Sequence, residues 1–550
     1  MAPLTPAGET ERPARPVPTG RAGSEEGGAV HQDSEPVPGN SGPVSEGPGP
    51  VHKDSGPVPG DPGPVPADPG QPISGNGDRQ VSGDRVAGLA GAGAGAVAQF
   101  LTVVLVVRGT DPKTAGAFFA ATTLCLLAAT VLRLDAGNGL VHVLAGSRTS
   151  GRPRAVGHLR AATVPVASLS LAVGAVAFLT VSDPALRVLA VALPAVTCSG
   201  VVVSATRGFG TMWPTLLLTG VLQPVGQLVL VAAVVATSGD GAARSGGDGG
   251  VGGDGGLVPS LVAAWVLPYP VVLSLAWLWL RRRLPRTSPR PPGTASELWR
   301  HTWPRSLAAG VQAVFQRLDV VIVASLAGPA EAAVYTAATR FKVVGQLAGQ
   351  GLAQAAQPRL VRALAGGDLA RARELYRSST RWLVALTWPI WLGYAASAPW
   401  LLGAVFGEEY ASGAPVALVL AATMLLATAC GAADVALTAA GHTGAGLAYL
   451  VAAVTTTVLL DLLLVPCLGS LGAALGWAGG MAVKNLLPLW HVHRRYGLHP
   501  FGPRHDRDVR APGARRVRRP RRAETPASRG ARQARWARWA RWARWARWTR

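Results

Sequence analysis

Charge is scarce in this chain of 550 residues: Asp, Glu, Lys and Arg make up 15% of it, against about 25% in soluble globular proteins. Hydrophobic residues make up 49%, and mean hydropathy is positive. An ordinary soluble domain is excluded. Lysine is almost missing, with only Lys53, Lys113, Lys342 and Lys484 among 52 basic residues. With abundant Ala, Gly and Pro, that arginine preference follows from high-GC coding and carries no argument for arginine chemistry. Cysteine is limited to Cys125, Cys198, Cys430 and Cys467, dispersed in apolar sequence. Metal sites and disulfides need clustered thiols, so these four are expected to be small core hydrophobes and no metal site is expected.

Catalytic motifs are missing too. The sequence contains no HExxH, GxSxG or Walker A pattern and its histidines are scattered, so we expect no enzyme, no cofactor and no ATP motor. Residues 1–82 hold no apolar h-region, which leaves insertion to the first membrane span. The formal net charge of +22 would suggest nucleic acid in a soluble protein. Here the basic residues sit in loops and tails beside apolar runs, so they are assigned to membrane orientation and no nucleic-acid partner is expected.

What the chain does have is apolar runs of about 20 residues, the length that crosses a bilayer as a helix. They predict an all-α membrane protein of twelve spans in two sets of six. The first set lies at about 86–107, 115–134, 160–181, 186–205, 212–236 and 258–280. The second lies at about 304–327, 332–356, 382–403, 414–438, 445–466 and 469–490. The expected organisation is a Pro/Gly-rich tail (1–82), a first six-helix bundle (83–281), a linker (282–302), a second bundle (303–492) and a basic tail (493–550). Both tails read as disordered, because such compositions bury too little apolar area to offset chain entropy.

Charge asymmetry sets the expected orientation. With a cytoplasmic N-terminus, the inside loops carry Arg148, Arg152, Arg154, Arg160, Arg207, Arg281–Arg283, Arg286, Arg290 and Arg300, then Arg359, Arg362, Arg371, Arg373, Arg377 and Arg381. The outside loops offer only Arg108, Lys113, Arg187 and Arg244. That bias puts both termini in the cytoplasm of a high-GC bacterium, with the chain in its plasma membrane.

Smaller features are read in the same way. The loop Ser238–Gly256 is a Gly-rich linker whose aspartates lack EF-hand spacing. The glycines of Gly88–Gly95 suit close helix packing better than a nucleotide loop. Gly366–Arg381 predicts a short interfacial helix before the ninth span. The Ala-Arg-Trp repeat at residues 534–548 is either a repeat expansion or a segment for an anionic membrane surface.

Polar stripes inside the spans carry the functional signal, since residues three and four apart share a helix face. The fifth span aligns Thr219, Gln223 and Gln227. The seventh aligns Gln312, Gln316 and Asp319, with Arg317 alongside. The eighth aligns Thr339, Lys342, Gln346, Gln350 and Gln354, with Arg340 at its edge. Asp434, Asp461 and Lys484 are further intramembrane ionisable groups. Amides in such stripes either hold helices together, at about 0.6 kcal/mol each, or face a lumen. Charged groups in hydrocarbon are costly and normally mark a hydrated path. Arg317 has two other options, pairing with Asp319 or snorkelling.

Motifs in this order resemble the Wzx-type oligosaccharide flippases of the superfamily that includes MATE exporters and lipid II flippases. They run through Trp303-Pro304, Gln316-Arg317-Leu318-Asp319-Val320, Gly328-Pro329-Ala330-Glu331-Ala332-Ala333-Val334-Tyr335 and Gln357-Pro358-Arg359-Leu360. They continue with Ala404–Tyr410, Thr438–Thr443 and Val465–Ala474, and in the first half with Leu134-Asp135-Ala136-Gly137 and Arg207-Gly208-Phe209-Gly210. The resemblance covers roughly residues 85–502. It implies two pseudo-symmetric six-helix bundles, alternating access, and transfer of a polyprenyl-pyrophosphate-linked oligosaccharide to the outer leaflet. Membrane lipids and a polysaccharide polymerase or glycosyltransferase are the partners it implies. Two departures stand out. The first span lacks the cations of lipid II flippases beyond Arg85, and it lacks the acid of many MATE exporters. The alternatives are a MATE-type drug/cation antiporter, which would want acidic lumen residues, and a non-transporting envelope scaffold.

Overall fold

The computed structural model describes residues 76–149, 155–244, 256–284, 294–342, 357–364 and 366–501. Both tails, the Ser238–Gly256 linker beyond residue 244, and Gln346, Gln350 and Gln354 lie outside these residues. The described chain is helical throughout, with no strand among the described residues.

In the first half, α1 (Asn76–Gly109) is followed by α2 (Pro112–Leu132), the short α3 (Ala136–Thr149), α4 (Ala155–Thr180) and α5 (Pro184–Gly208). Next, α6 runs from Trp213 through a π turn at Leu216–Leu222 and on through Gln223–Arg244. α7 spans Leu257–Arg283 and breaks once at Leu267, before Pro268. The second half has α8 (Thr294–Leu326), α9 (Pro329–Arg340), α10 (Leu369–Phe406), α11 (Ala414–Ala429), α12 (Ala433–Ala439), α13 (Thr443–Leu468) and α14 (Ser470–Tyr496).

Nine helices among the described residues are long and apolar enough to cross a membrane, and Gly93–Gly109 of α1 adds a shorter apolar run. The remaining two expected spans fall on α14 and on α9, whose described part stops at residue 342. Three details differ from the expectation. The stretch 369–381 is no separate interfacial helix but the first turns of the 38-residue α10. α3 was not foreseen as a helix; it packs on α4, α5 and α8. The tenth expected span is divided at Cys430–Ala432 into α11 and α12.

Helix starts follow from local chemistry. Asp111 caps α2, its carboxylate accepting from the amides of Lys113 (3.0 Å) and Thr114 (3.1 Å), and Pro112 occupies the first turn, where no amide is needed. Asp183 and Pro184 start α5 in the same way.

The two halves meet along α2, which packs on both α8 and α9. Val103, Phe118, Phe119, Trp265, Tyr335, Trp391 and Trp477 belong to one buried core that runs through both halves. At the start of this seam Gly116 lies against the Pro329 backbone, where a methyl group would overlap the carbonyl. Nearby, the Arg108 side chain donates to the carbonyls of Ala404 and Val405 at the end of α10. At the far end of α2, Leu134 and Asp135 take left-handed conformations (φ 50° and 48°). Non-glycine residues pay for that backbone, so the turn must be held from outside. α8 does so: Ser306 donates to the Leu134 carbonyl, and the Arg305 Nε lies 3.2 Å from the Asp135 carboxylate.

Gly116→Ala is expected to cost about 1–3 kcal/mol through overpacking of this seam, read as a lowered unfolding midpoint in detergent. Asp111→Ala is expected to cost about 1 kcal/mol in the same assay. Partial burial would raise the Asp111 pKa, but the hydrogen bonds from Thr114 and Lys113 prevail and hold it below the ordinary carboxylate value. Its contribution is therefore present above the unfolded pKa and lost as pH falls through the folded one. The difference between wild type and Asp111→Ala should shrink in acid.

Candidate functional site

A cavity of about 780 Å³ opens between the halves, lined by α1, α2, α5, α6, α7, α8, α9 and α14. Its size is toward the top of the range of about 300–1,000 Å³ for small-molecule sites. Six cationic side chains reach its wall: Arg133, Arg207, Arg317, Arg340, Lys342 and Lys484. Among the described residues, no Asp or Glu lines it. The remaining polar wall is made of amides and hydroxyls, with Phe118, Phe119, Trp265, Tyr269, Phe315 and Trp477 between them.

Four of the cations form a chain of electrostatic neighbours. Arg133 feels the charge of Arg317, Arg340 that of Arg317, and Lys342 that of Arg340, while Asp319 bears on Arg317 and Lys342 from behind the wall. Mutual repulsion in a low-dielectric setting is costly, and aromatic faces offset part of it. Lys342 lies 4.3 Å from the Trp477 ring centroid, Lys484 5.2 Å from Phe315, and Arg340 5.9 Å from Phe119. Arg207 stands apart near the end of α5, where its Nη2 donates to the Ser204 hydroxyl at 2.8 Å.

The stripe on α6 meets the cavity because of its π turn. In a regular helix, residues four apart drift around the axis; the wider turn offsets that drift. Thr215, Thr219, Gln223 and Gln227 all reach the wall. The close contact of Gly95 with the Gly220 carbonyl holds α1 against this turn. Gln227 is fixed by its own bond to the Trp265 carbonyl at 3.0 Å.

The expected site residues separate on inspection. Gln312, Gln316, Arg317, Thr339, Arg340, Lys342, Thr219, Gln223, Gln227 and Lys484 all line the one cavity. The three acids do not. Asp319 is buried behind the wall, accepting from the Tyr335 hydroxyl at 2.6 Å and from the Val320 amide at 2.9 Å. The sequence pattern put it on the stripe of Gln312 and Gln316, but the tyrosine of the next helix pulls the carboxylate away. Asp461 is fully buried between α13 and α14 over Gly476, and its oxygens have no hydrogen-bond partner among the described residues. Asp434, in the first turn of α12, bears electrostatically on Lys484 from outside the cavity.

Outside the α6 stripe, the first-half wall is not legible in the sequence. Arg207 reads as a loop charge and Arg133 as a cation at the cytoplasmic end of the second span, and both line the cavity. Gln99, Thr102, Thr122, Ser199 and Ser204 gave no stripe, since threonine and serine are common in helices. Thr102 and Thr122 donate to the carbonyls of Ala98 and Phe118, one turn back, which leaves their oxygens free to accept.

A polysaccharide biosynthesis protein family model matches residues 255–415. The chain is similar in structure to an inward-facing multidrug resistance MATE family transporter of the MOP superfamily, with TM-score 0.58 and 16% identity, over 73% of this chain and 94% of that one. It is equally similar to the lipid II flippase MurJ in an inward closed conformation, with TM-score 0.58 and 11% identity, over 74% of this chain and 87% of that one. No curated protein matches the chain. The resemblance carried by the motifs therefore holds: this is a multi-pass membrane protein with the fold shared by MATE transporters and the lipid II flippase, and its central stretch matches the polysaccharide biosynthesis family.

Proposed function

We propose that the chain is a flippase that moves a polyprenyl-pyrophosphate-linked oligosaccharide from the cytoplasmic to the outer leaflet for cell-surface polysaccharide synthesis, by alternating access. The observation that carries this reading is the cavity wall, with six cations and no carboxylate among the described residues, inside a bundle of membrane spans. Cations kept in hydrocarbon need an anion or water to meet them. A diphosphate supplies the anion, and guanidinium groups match its oxygens in pairs. A glycan crossing lipid alone would lose its water partners at several kcal/mol per hydroxyl. The hydroxyls and amides contributed by α1, α2, α5 and α6 offer replacements.

The same wall argues against a drug/cation antiporter. That function needs acids in the cavity, and Asp434 and Asp461 lie elsewhere. The sequence holds no nucleotide motif, and in this reading the membrane potential helps to drive transport. With both termini cytoplasmic, an inside-negative potential favours outward movement of an anion by about 2.3 kcal/mol per charge per 100 mV. A polymerase or glycosyltransferase working on the same glycan is the partner this role calls for.

Flipping can be read in proteoliposomes from the accessibility of a lipid-linked oligosaccharide to an added lectin. Arg317→Gln and Arg340→Gln are each expected to slow it about tenfold or more, with insertion and unfolding midpoint preserved. Wild-type rates in both would overturn the reading, as would efflux of an organic cation by the wild type. Imposing an inside-negative potential should speed outward movement without nucleotide, and Asp434→Asn should leave the rate unchanged.

A further inference from the structure

A second cationic site lies away from the cavity, where α10 begins and α14 ends. Arg373 and Arg377 stand one turn apart on α10 and share a face. From the other side come His493, in the last turn of α14, and His499, just beyond it. The rings of His493 and His499 lie 4.0 Å apart, and the charges of His493, Arg377 and Arg373 all bear on His499. Burial, and then these groups, depress its protonation.

The arrangement is built into the fold. Arg373 donates through Nη2 to the Tyr496 carbonyl at 3.3 Å, while its Nε is buried with no acceptor among the described residues. Gly497 closes α14 in a left-handed turn (φ 61°), and a side chain there would press on the same guanidinium. Beneath lies a small separate core of Leu360, Ala372, Tyr376, Val492 and Leu498. Orientation of a membrane protein needs only a count of basic residues in its loops. It does not need two arginines of one helix drawn together with a histidine at the end of another and a histidine just beyond it, over a fixed floor.

The depth of the site identifies what meets it. One turn before His493, the half-exposed Trp490 carries Arg494 stacked 4.4 Å above its ring. An indole with a cation beside it is the signature of the headgroup layer. We propose that Arg373, Arg377, His493 and His499 form a docking site for the phosphate of an anionic membrane lipid headgroup. It is separate from the cavity and independent of what the cavity transports. Basic pockets at helix ends hold lipid phosphates of this kind.

The test uses the full chain purified in detergent, with retained lipid counted by native mass spectrometry after titration with phosphatidylglycerol or phosphatidylcholine. Wild type is expected to retain phosphatidylglycerol preferentially. The double variant Arg373→Gln/Arg377→Gln should weaken that retention about tenfold or more, whereas Arg281→Gln/Arg282→Gln, at the end of α7, should not. Arg373→Lys keeps the charge and should keep most of the retention, which separates charge from folding. Equal retention by wild type and the Arg373/Arg377 variant would overturn the proposal. Binding of inorganic pyrophosphate with no preference for phosphatidylglycerol would also overturn it, assigning the site to a soluble phosphate compound instead.

Discussion

Positive charge gathered on one wall within a membrane-spanning bundle is the constraint on which the rest of this structure depends. Each of the six wall cations would be expensive in hydrocarbon, and several sit within reach of one another's fields. The fold does not neutralise them with acids from within the cavity. Instead it supplies aromatic faces to Lys342, Lys484 and Arg340, a hydroxyl to Arg207, and space. The remaining imbalance suits an anionic cargo, which is what the proposed transport uses.

The acids nearby show how that imbalance is maintained. Asp319 is three residues from Gln316, yet its carboxylate is turned away by Tyr335 of α9 and never reaches the wall. Asp461 is enclosed between α13 and α14. Placing either carboxylate in the cavity would pair it with a neighbouring cation and lower the positive charge of the wall. The seam along α2 matters for the same reason, because it brings Arg133 of the first half beside Arg317 of the second. The strained Leu134–Asp135 turn, held by Arg305 and Ser306, fixes where α2 ends and so where Arg133 stands.

Much of this was legible in the sequence because membrane helices follow simple rules. Apolar length located the helices, and four-residue spacing found Thr219, Gln223, Gln227, Gln312 and Gln316. What spacing could not tell was which side of a helix faces the lumen when a partner helix competes for a side chain, as Tyr335 does for Asp319. Arg133 and Arg207 were hidden by position: at helix ends a cation that snorkels outward and one that turns inward look alike. The π turn of α6 left no sequence signal, and the hydroxyl wall of α1, α2 and α5 is made of residues that serve equally well as helix neighbours.

The central claim is that the diphosphate of a lipid-linked glycan rests against the cation chain of this cavity. Determining the structure of the full chain with a polyprenyl-pyrophosphate-linked oligosaccharide tests it most directly. The account predicts the diphosphate within hydrogen-bond distance of Arg317 and Arg340, with sugars along the hydroxyl wall of the first half. A headgroup bound outside the cavity, with these arginines untouched, would contradict it.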